Sequence, residues 1–518
     1  MSGMELLELT LTPLDEQRFW AIATRVPNGI GDASTECLLP FWVDGQDWRR
    51  TVIKVLESSQ GFRAEHYPEP GEQDWLEQSG LLLPDRQRFH PAYLEQVGQS
   101  LYRSLFPPDR DLKQVFLHSL RLAEQRDADL HLRLKFAATS VKRSRLADYP
   151  WELLHDGQRF LLHQKVRLSR YIAYDASPPR LPTQQTLRVL LLSARPQGLP
   201  QLTLEEQQSI QLGLQRAQET GLVQLHILPS ATRKVLNRYL TDCSPEQLPQ
   251  VLHFDGHGVF GKRCTNAGCL TLHAGIKVES CRACGQTLPA PQGYLAFETE
   301  QGQADYQSAN QVAALLQPYP IALVVLSACQ SGMTVAGDSV FNGMAQNLID
   351  QRLPAVVAMQ YSVQAAAACE FAEQFYRVLG SKKTLLMALN QGIREMDVEG
   401  NQWYRPVLYL RWQDNEGGQL FVETLMPSES VTPTLEGETK VPEPLIEAEN
   451  SVKPVQTLRL KYLQSKRTNF EQQLDMVQSE IEALTDVTLK GQYENRLNLL
   501  FKQIEQVDQE IQKIRQGN

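Results

Sequence analysis

From residue 187 onward the chain alternates short, continuous apolar runs with helical segments, and this alternation is the strongest constraint on its fold. The runs are LRVLLLSA at 187–194, VQLHIL at 223–228, QVLHFD at 250–255, IALVVLSA at 321–328 and AVVAMQY at 355–361. Strands that are apolar on both faces need cover on both faces, so they predict a mainly parallel sheet flanked by helices. The covering helices are legible between the runs: 204–219, 309–316, 340–352 and 365–379 each carry apolar residues at helical spacing. RPVLYLRW at 405–412 supplies one more strand. In an open sheet of this kind the ligand site lies beyond the carboxyl ends of the strands, so chemistry is expected just after QVLHFD and VVLSA.

At 518 residues the chain is long enough for two or three folding units and for a buried active site. Residues 1–180 mix alternating apolar segments at 5–11 and 19–26 with helical stretches, clearest at 111–126, and read as an α+β region. Near its end DLHLRLKFA at 129–137 alternates like a half-buried strand, and the aromatics of YPWELL at 149–154 are expected to brace a domain junction. The sheet-forming part occupies 181–425. After it, 426–455 is rich in Pro, Glu, Ser and Thr and poor in aromatics, which makes it a flexible linker. Beyond the linker Leu463, Phe470, Leu474, Val477, Ile481 and Leu484 repeat at helical intervals, and Tyr493, Leu497, Leu500, Ile504, Val507, Ile511 and Ile514 do the same. The two series predict a helical hairpin or short coiled coil over 456–518 with its turn near 485–488. A two-helix unit cannot hide its whole apolar seam, so it is expected to bind a regulatory protein partner or to self-associate.

No apolar run approaches the roughly 18 residues that span a bilayer, and MSGMELLELTL lacks the basic start of a secretory signal, so a cytoplasmic protein is expected. A formal net charge of -9 argues against a general nucleic-acid binder, which needs clustered Lys and Arg.

Two constellations sit at the strand ends. In VLHFDGHG a strand delivers His257 between Gly256 and Gly258, glycines whose freedom lets the backbone turn sharply and leaves the imidazole open to a substrate carbonyl. In VVLSACQSG another strand delivers Cys329 into a small-residue turn. Singly, each has a bland reading as a structural histidine or an inert core cysteine. Together they reach one edge of one sheet, where imidazolium stabilises thiolate and can then protonate a departing amine. That is acyl transfer through a thioester, with the amides of Gly258 and Cys329 as candidate oxyanion donors.

These residues also carry a resemblance. The order strand-HG then strand-SAC, continued by CQSGMTVAGDSVFNGMAQNLIDQRLPAVVAMQYSVQAAAACEFAEQFYRVLG and preceded by DYPWELLHDGQRFLLHQKVRLSRYI, resembles the CHAT family of caspase-like cysteine proteases over about residues 130–425. The resemblance implies the clan of caspases, metacaspases and separases, an α/β caspase-hemoglobinase-like sheet, a dyad at Cys329 and His257, and roles in bacterial defence or programmed cell death. The expected architecture is that domain over 181–425, between an N-terminal α+β region and a C-terminal α-helical hairpin. Proteases of this superfamily often hold the residue before the cut in a charged pocket, for which Asp255, Asp305 and Asp338 are candidates. Asp338 equally suits the cap of the helix starting near 340, and an uncharged pocket also fits. A partner-activated cysteine endopeptidase is therefore expected; the competing reading is an inactive caspase-fold scaffold that binds partners through its insert and tail.

The insert, at 261–292, contains Cys264, Cys269, Cys281 and Cys284 in two knuckles directly after the GHG segment. Four thiolates at this spacing suit tetrahedral Zn²⁺, with Gly268 and Gly285 relieving the knuckle backbone. A reducing compartment disfavours the alternative of disulfides, and four sulfurs leave no open position for water, so the expected zinc is structural. His273 is a ligand only if one cysteine is not; otherwise it is expected as an exposed hairpin residue.

Overall fold

A computed structural model of the chain describes residues 3–58, 68–108, 110–137, 146–175, 177–200, 202–274, 278–329, 340–361, 363–396 and 402–422, with scattered positions between 464 and 515. Residues Met1–Val422 form one compact unit and Glu423–Asn518 a second. In chain order the first unit contains β1 (Met4–Pro13), β2 (Arg18–Arg25), β3 (Ser34–Leu38), a two-strand ribbon of β4 (Trp42–Val43) and β5 (Gln46–Asp47), helices α1 (Arg49–Ser58), α2 (Pro70–Gln78), α3 (Tyr93–Leu105) and α4 (Asp111–Gln125), then β6 (Asp129–Ala137) and β7 (Val166–Ala173). It continues with β8 (Leu187–Ser193), α5 (Glu205–Glu219), β9 (Val223–Ile227), α6 (Arg233–Asp242), β10 (Val251–Arg263), β11 (Leu272–Ala274), β12 (Gln292–Glu298), β13 (Ala304–Ser308), α7 (Ala309–Leu316) and β14 (Leu323–Cys329). The unit ends with α8 (Val340–Asp350), β15 (Ala355–Met359), α9 (Ala365–Gly380), α10 (Leu385–Glu395) and β16 (Pro406–Leu410).

One large sheet runs β13-β12-β10-β14-β15-β16-β7-β6-β1-β2-β3, with β8 and β9 continuing outward from the first half of β10. Strands β9, β8, β10, β14 and β15 are mutually parallel, and their buried faces carry the apolar runs that predicted them. The expected α/β architecture, a mostly parallel sheet flanked by helices, is what the chain forms. Its antiparallel pairs among the described residues are β10 with β11 and with β12, β12 with β13, β15 with β16 in the middle of the sheet, and the β1–β2–β3 meander. Strands β1, β6 and β7 are parallel to one another and join the rest through β16 at Tyr409 and Arg170. One continuous hydrophobic core runs through both halves of this sheet.

The YPWELL segment sits where the two halves meet. Tyr149, Trp151 and Leu153 are fully buried, and the Trp151 indole donates to the Leu146 carbonyl at 2.8 Å. Beside them the buried Arg170 guanidinium pairs with Glu152 and also donates to the Ala147 and Tyr149 carbonyls and to Gln360, which follows β15. A guanidinium this deep persists because every edge finds an acceptor. Arg170→Met would strand the Glu152 carboxylate in a dry site, so it is expected to lower the unfolding free energy by about 3–5 kcal/mol in a urea titration. A loss under about 1 kcal/mol would contradict this account of the junction.

In the second unit, the described residues between 464 and 478 and between 497 and 515 are helical. The two stretches meet at an ion pair between Arg467 and Asp508, 2.8 Å apart. Val507 and Ile511 of the expected seam are buried, while Phe501, outside that seam, is exposed. The expected turn at 485–488 and the linker at 426–455 lie outside the described residues.

Candidate active site

Strand β10 is the spine of the site. Its first half, Val251 to Asp255, lies between β8 and β14 in parallel register with both. Strand β8 then stops, and β12 takes over that side with His257 opposite Ala296 and Gly258 opposite Leu295. The GHG segment is therefore the middle of a continuous strand and not the sharp turn its glycines suggested. Gly256 is required for space: a Cβ there would stand 2.7 Å from the Phe254 ring and 3.1 Å from the Ala194 Cβ.

On its other side β10 pairs with β14, and the last register partners are His257 and Cys329. Neighbouring strands lie about 4.8 Å apart and register partners share a face of the pleat, so the two candidate residues occupy adjoining positions on one face at the end of β14. The His257 ring is buried, and its Nε2 lies 2.7 Å from the Pro200 carbonyl oxygen. A carbonyl only accepts, so Nε2 carries a proton. Two other cysteines of the unit are poor nucleophiles: burial pushes the Cys37 thiol up to about 12 and holds the Cys369 thiol well above its ordinary value.

The face that carries His257 also carries His253 and Asp255 at alternate positions of β10. His253 contacts Tyr376 Oη at 2.9 Å through Nδ1 and Glu206 Oε1 at 3.1 Å through Nε2. Asp255 pairs with Arg195. Burial, helped by the nearby Glu206 charge, pushes the Asp255 carboxyl up to about 6 against the pull of Arg195.

The pocket candidates fare differently. Asp255 already has a guanidinium partner, and Asp305 on β13 accepts from Gln307 at 2.7 Å and lies 3.5 Å from Arg263. Asp338 lies outside the described residues. Gly258 is in the ladder and not in a turn. Its orientation follows from the Asp255 carbonyl, which accepts from Ala194 N at 2.7 Å on the β8 side. Alternation along β10 then directs the Gly258 N–H to the opposite side, toward the end of β14 at Cys329. Sequence reasoning missed Pro200 and Arg195, because nothing local marks a loop carbonyl or a loop arginine that acts on a strand sixty residues away.

The cysteine insert grows from the far end of β10, where residues Gly261 to Arg263 pair with β11. The four Sγ atoms of Cys264, Cys269, Cys281 and Cys284 all lie within 4.8 Å of one another. Cys264 and Cys284 are 3.5 Å apart and Cys269 and Cys281 3.6 Å, too far for disulfides, whose bond is about 2.05 Å. Sulfurs at about 2.3 Å from a tetrahedral centre stand about 3.8 Å apart, so the donor set fits a metal ion with modest contraction. Gly285 adopts the left-handed backbone expected of a knuckle, with φ +76°, but at the first knuckle Leu270 takes that role, with φ 51°, and not Gly268. His273 is buried, contrary to expectation, and its Nε2 lies 3.3 Å from Cys281 Sγ. A ring N–H at that distance orients and stabilises a thiolate ligand from outside the sulfur tetrahedron.

The CHAT domain model matches residues 95–401. Among solved structures, the chain is similar to the separase of Saccharomyces cerevisiae in a separase–securin complex, at 12% identity and a TM-score of 0.37, over 79% of this chain and 30% of that one. It is also similar to a structure described as that of a protease, at 12% identity and a TM-score of 0.33, over 56% of this chain and 64% of that one. The chain thus spans less than two thirds of the length of either. No curated protein matches it. No helix among the described residues is long and apolar enough to cross a membrane.

Proposed function

The chain belongs to the CHAT domain family, and from that premise we propose that it is a caspase-like cysteine endopeptidase with Cys329 as nucleophile and His257 as its acid–base partner. The observation that carries this reading is the register pairing of His257 with Cys329 where β14 ends, with the Pro200 carbonyl fixing the imidazole. With Nε2–H held by Pro200, Nδ1 takes the thiol proton and the resulting imidazolium stabilises the thiolate. The thiolate attacks the scissile carbonyl, and the Gly258 and Cys329 amides are the proposed donors to the oxyanion. His257 returns its proton to the leaving amine, and water then hydrolyses the thioester with the same imidazole as base.

We assign the four-cysteine cluster to a structural Zn²⁺, held by Cys264, Cys269, Cys281 and Cys284 with His273 supporting Cys281. Bound there, the ion would cross-link the insert and supply no reactive water. For the biological role we propose a cytoplasmic effector in a bacterial defence or cell-death system, activated when the C-terminal helices bind a protein partner. A tethered helical module of this kind raises the local concentration of whatever it binds.

The test is covalent labelling with a panel of peptidyl electrophiles that differ in the residue before the warhead, read by intact mass. One adduct is expected, on Cys329, absent from Cys329→Ala and preferring one side-chain class. An adduct that persists in Cys329→Ala, or no adduct with the helical tail engaged by its partner, would leave the protein a scaffold.

A further inference from the structure

The acceptor that orients His257 follows β8 in a loop whose described residues are 194–200 and 202–204, and a loop carbonyl orients a ring only as well as the loop is held. Among the described contacts one side chain ties this loop at both ends. The Arg195 guanidinium donates through Nη1 to the Ala194 carbonyl at 2.9 Å and through Nη2 to the Thr203 carbonyl at 2.7 Å. The same fork reaches β10, donating to the Asp255 carbonyl at 3.0 Å and pairing with the Asp255 carboxylate two residues before His257. The Arg195 main-chain N–H donates to Glu298 Oε1 at 2.6 Å, at the end of the β12 strand that flanks His257. Gln197 adds a link from its N–H to the Gly302 carbonyl at 2.7 Å, but it holds only the near side of the loop.

On the reading that Cys329 and His257 form a dyad, the geometry points to Arg195 as the positioning residue that keeps the Pro200 carbonyl on His257 Nε2. Its described contacts are with the loop, with Asp255 and with Glu298. Its planar fork joins the two ends of the Pro200 loop to the strand that carries the histidine, which a single ammonium cannot do. Loss of the fork frees the Thr203 end of the loop, so the acceptor drifts and the ring is no longer held in the orientation and tautomer that leave Nδ1 for proton transfer. A buried Asp255 without its cation is expected to take up a proton, which limits the cost to the fold without removing it.

The experiment follows alkylation of Cys329 by iodoacetamide at neutral pH, measured by peptide mass on the full-length protein. The variants are Arg195→Gln and Arg195→Lys, each alone and combined with His257→Ala. Arg195→Gln is expected to slow alkylation on the order of tenfold to a hundredfold and Arg195→Lys less, while neither slows it further once His257 is alanine. If Arg195→Gln does not fold, Arg195→Lys carries the same comparison, since it keeps a cation beside Asp255. A rate within roughly twofold of wild type, or equal slowing with and without His257, would overturn the assignment. Wild type and His257→Ala reacting at one rate would instead overturn the dyad reading on which it rests.

Discussion

Cys329→Ala is expected to lower kcat/KM on a cleaved peptide by on the order of 10⁴- to 10⁶-fold, and His257→Ala by a comparable factor. The size follows from the division of labour at the end of β14. A thiol at its ordinary pKa is only a few per cent thiolate at neutral pH, and in the proposed dyad imidazolium at the register-paired position would raise that fraction. The same ring then protonates the leaving amine, a step without which the tetrahedral intermediate collapses back to thiolate and intact peptide. Because nucleophile and base act as one unit, the double variant should be no worse than the poorer single variant. Purified variants compared by single-turnover kinetics on one peptide check both points. Activity in Cys329→Ala within roughly tenfold of wild type would remove Cys329 from the mechanism, and fully additive losses would mean that the two residues act separately.

How much of this was legible in the sequence differs from element to element. The five apolar runs from 187 to 361 became strands, and the four expected helices lie within a few residues of their bounds, because both periodicities are local properties of the chain, whereas α6 (Arg233–Asp242) was not foreseen. Cys329 and His257 were legible for a related reason: each ends or interrupts an apolar run, and strand topology alone brings them to one edge. The role of Gly256 was misread because glycine has two uses, conformational freedom and small size. Only the Phe254 ring and Ala194 show which applies. The continuation of β10 through the histidine was hidden as well, because its partner β12 lies beyond the cysteine insert and pairs by register, which no short window of sequence reveals. Whether an aspartate is free to receive a substrate's cation was not legible at all. An aspartate in sequence carries no sign of whether a cation already occupies it, and Asp255 and Asp305 turn out to face Arg195 and Arg263.

Removal of the metal is expected to unfold the cysteine insert while leaving the large core folded. Among the described residues and apart from the thiols, the cluster at its centre holds Leu288, with Val278 packed against it, far too little apolar area to offset the ordering of the chain around it. The sulfurs must therefore supply the difference, and structural zinc in small modules contributes about 10–16 kcal/mol of apparent binding energy at neutral pH. The main core has its own continuous packing, in which no described residue of the insert takes part. Elemental analysis should give a zinc content of about one per chain, falling to near zero in Cys281→Ser or after dialysis against a strong chelator. In the stripped protein, limited proteolysis should cut first between Cys264 and Cys284, whereas the wild-type insert resists. The effect should also reach the strand that carries His257. Residues Gly261 to Arg263 of β10 are held by β11, inside the insert, and the same strand carries His257 against β12. Fraying from that end loosens the histidine, so peptidase activity should fall with the zinc content and return when Zn²⁺ is restored under reducing conditions. A metal-free wild-type protein whose insert resists proteolysis would refute the structural role, as would Cys281→Ser retaining full zinc. Activity unchanged by complete zinc loss would instead show that the β10–β12 pairing holds His257 without help from the insert.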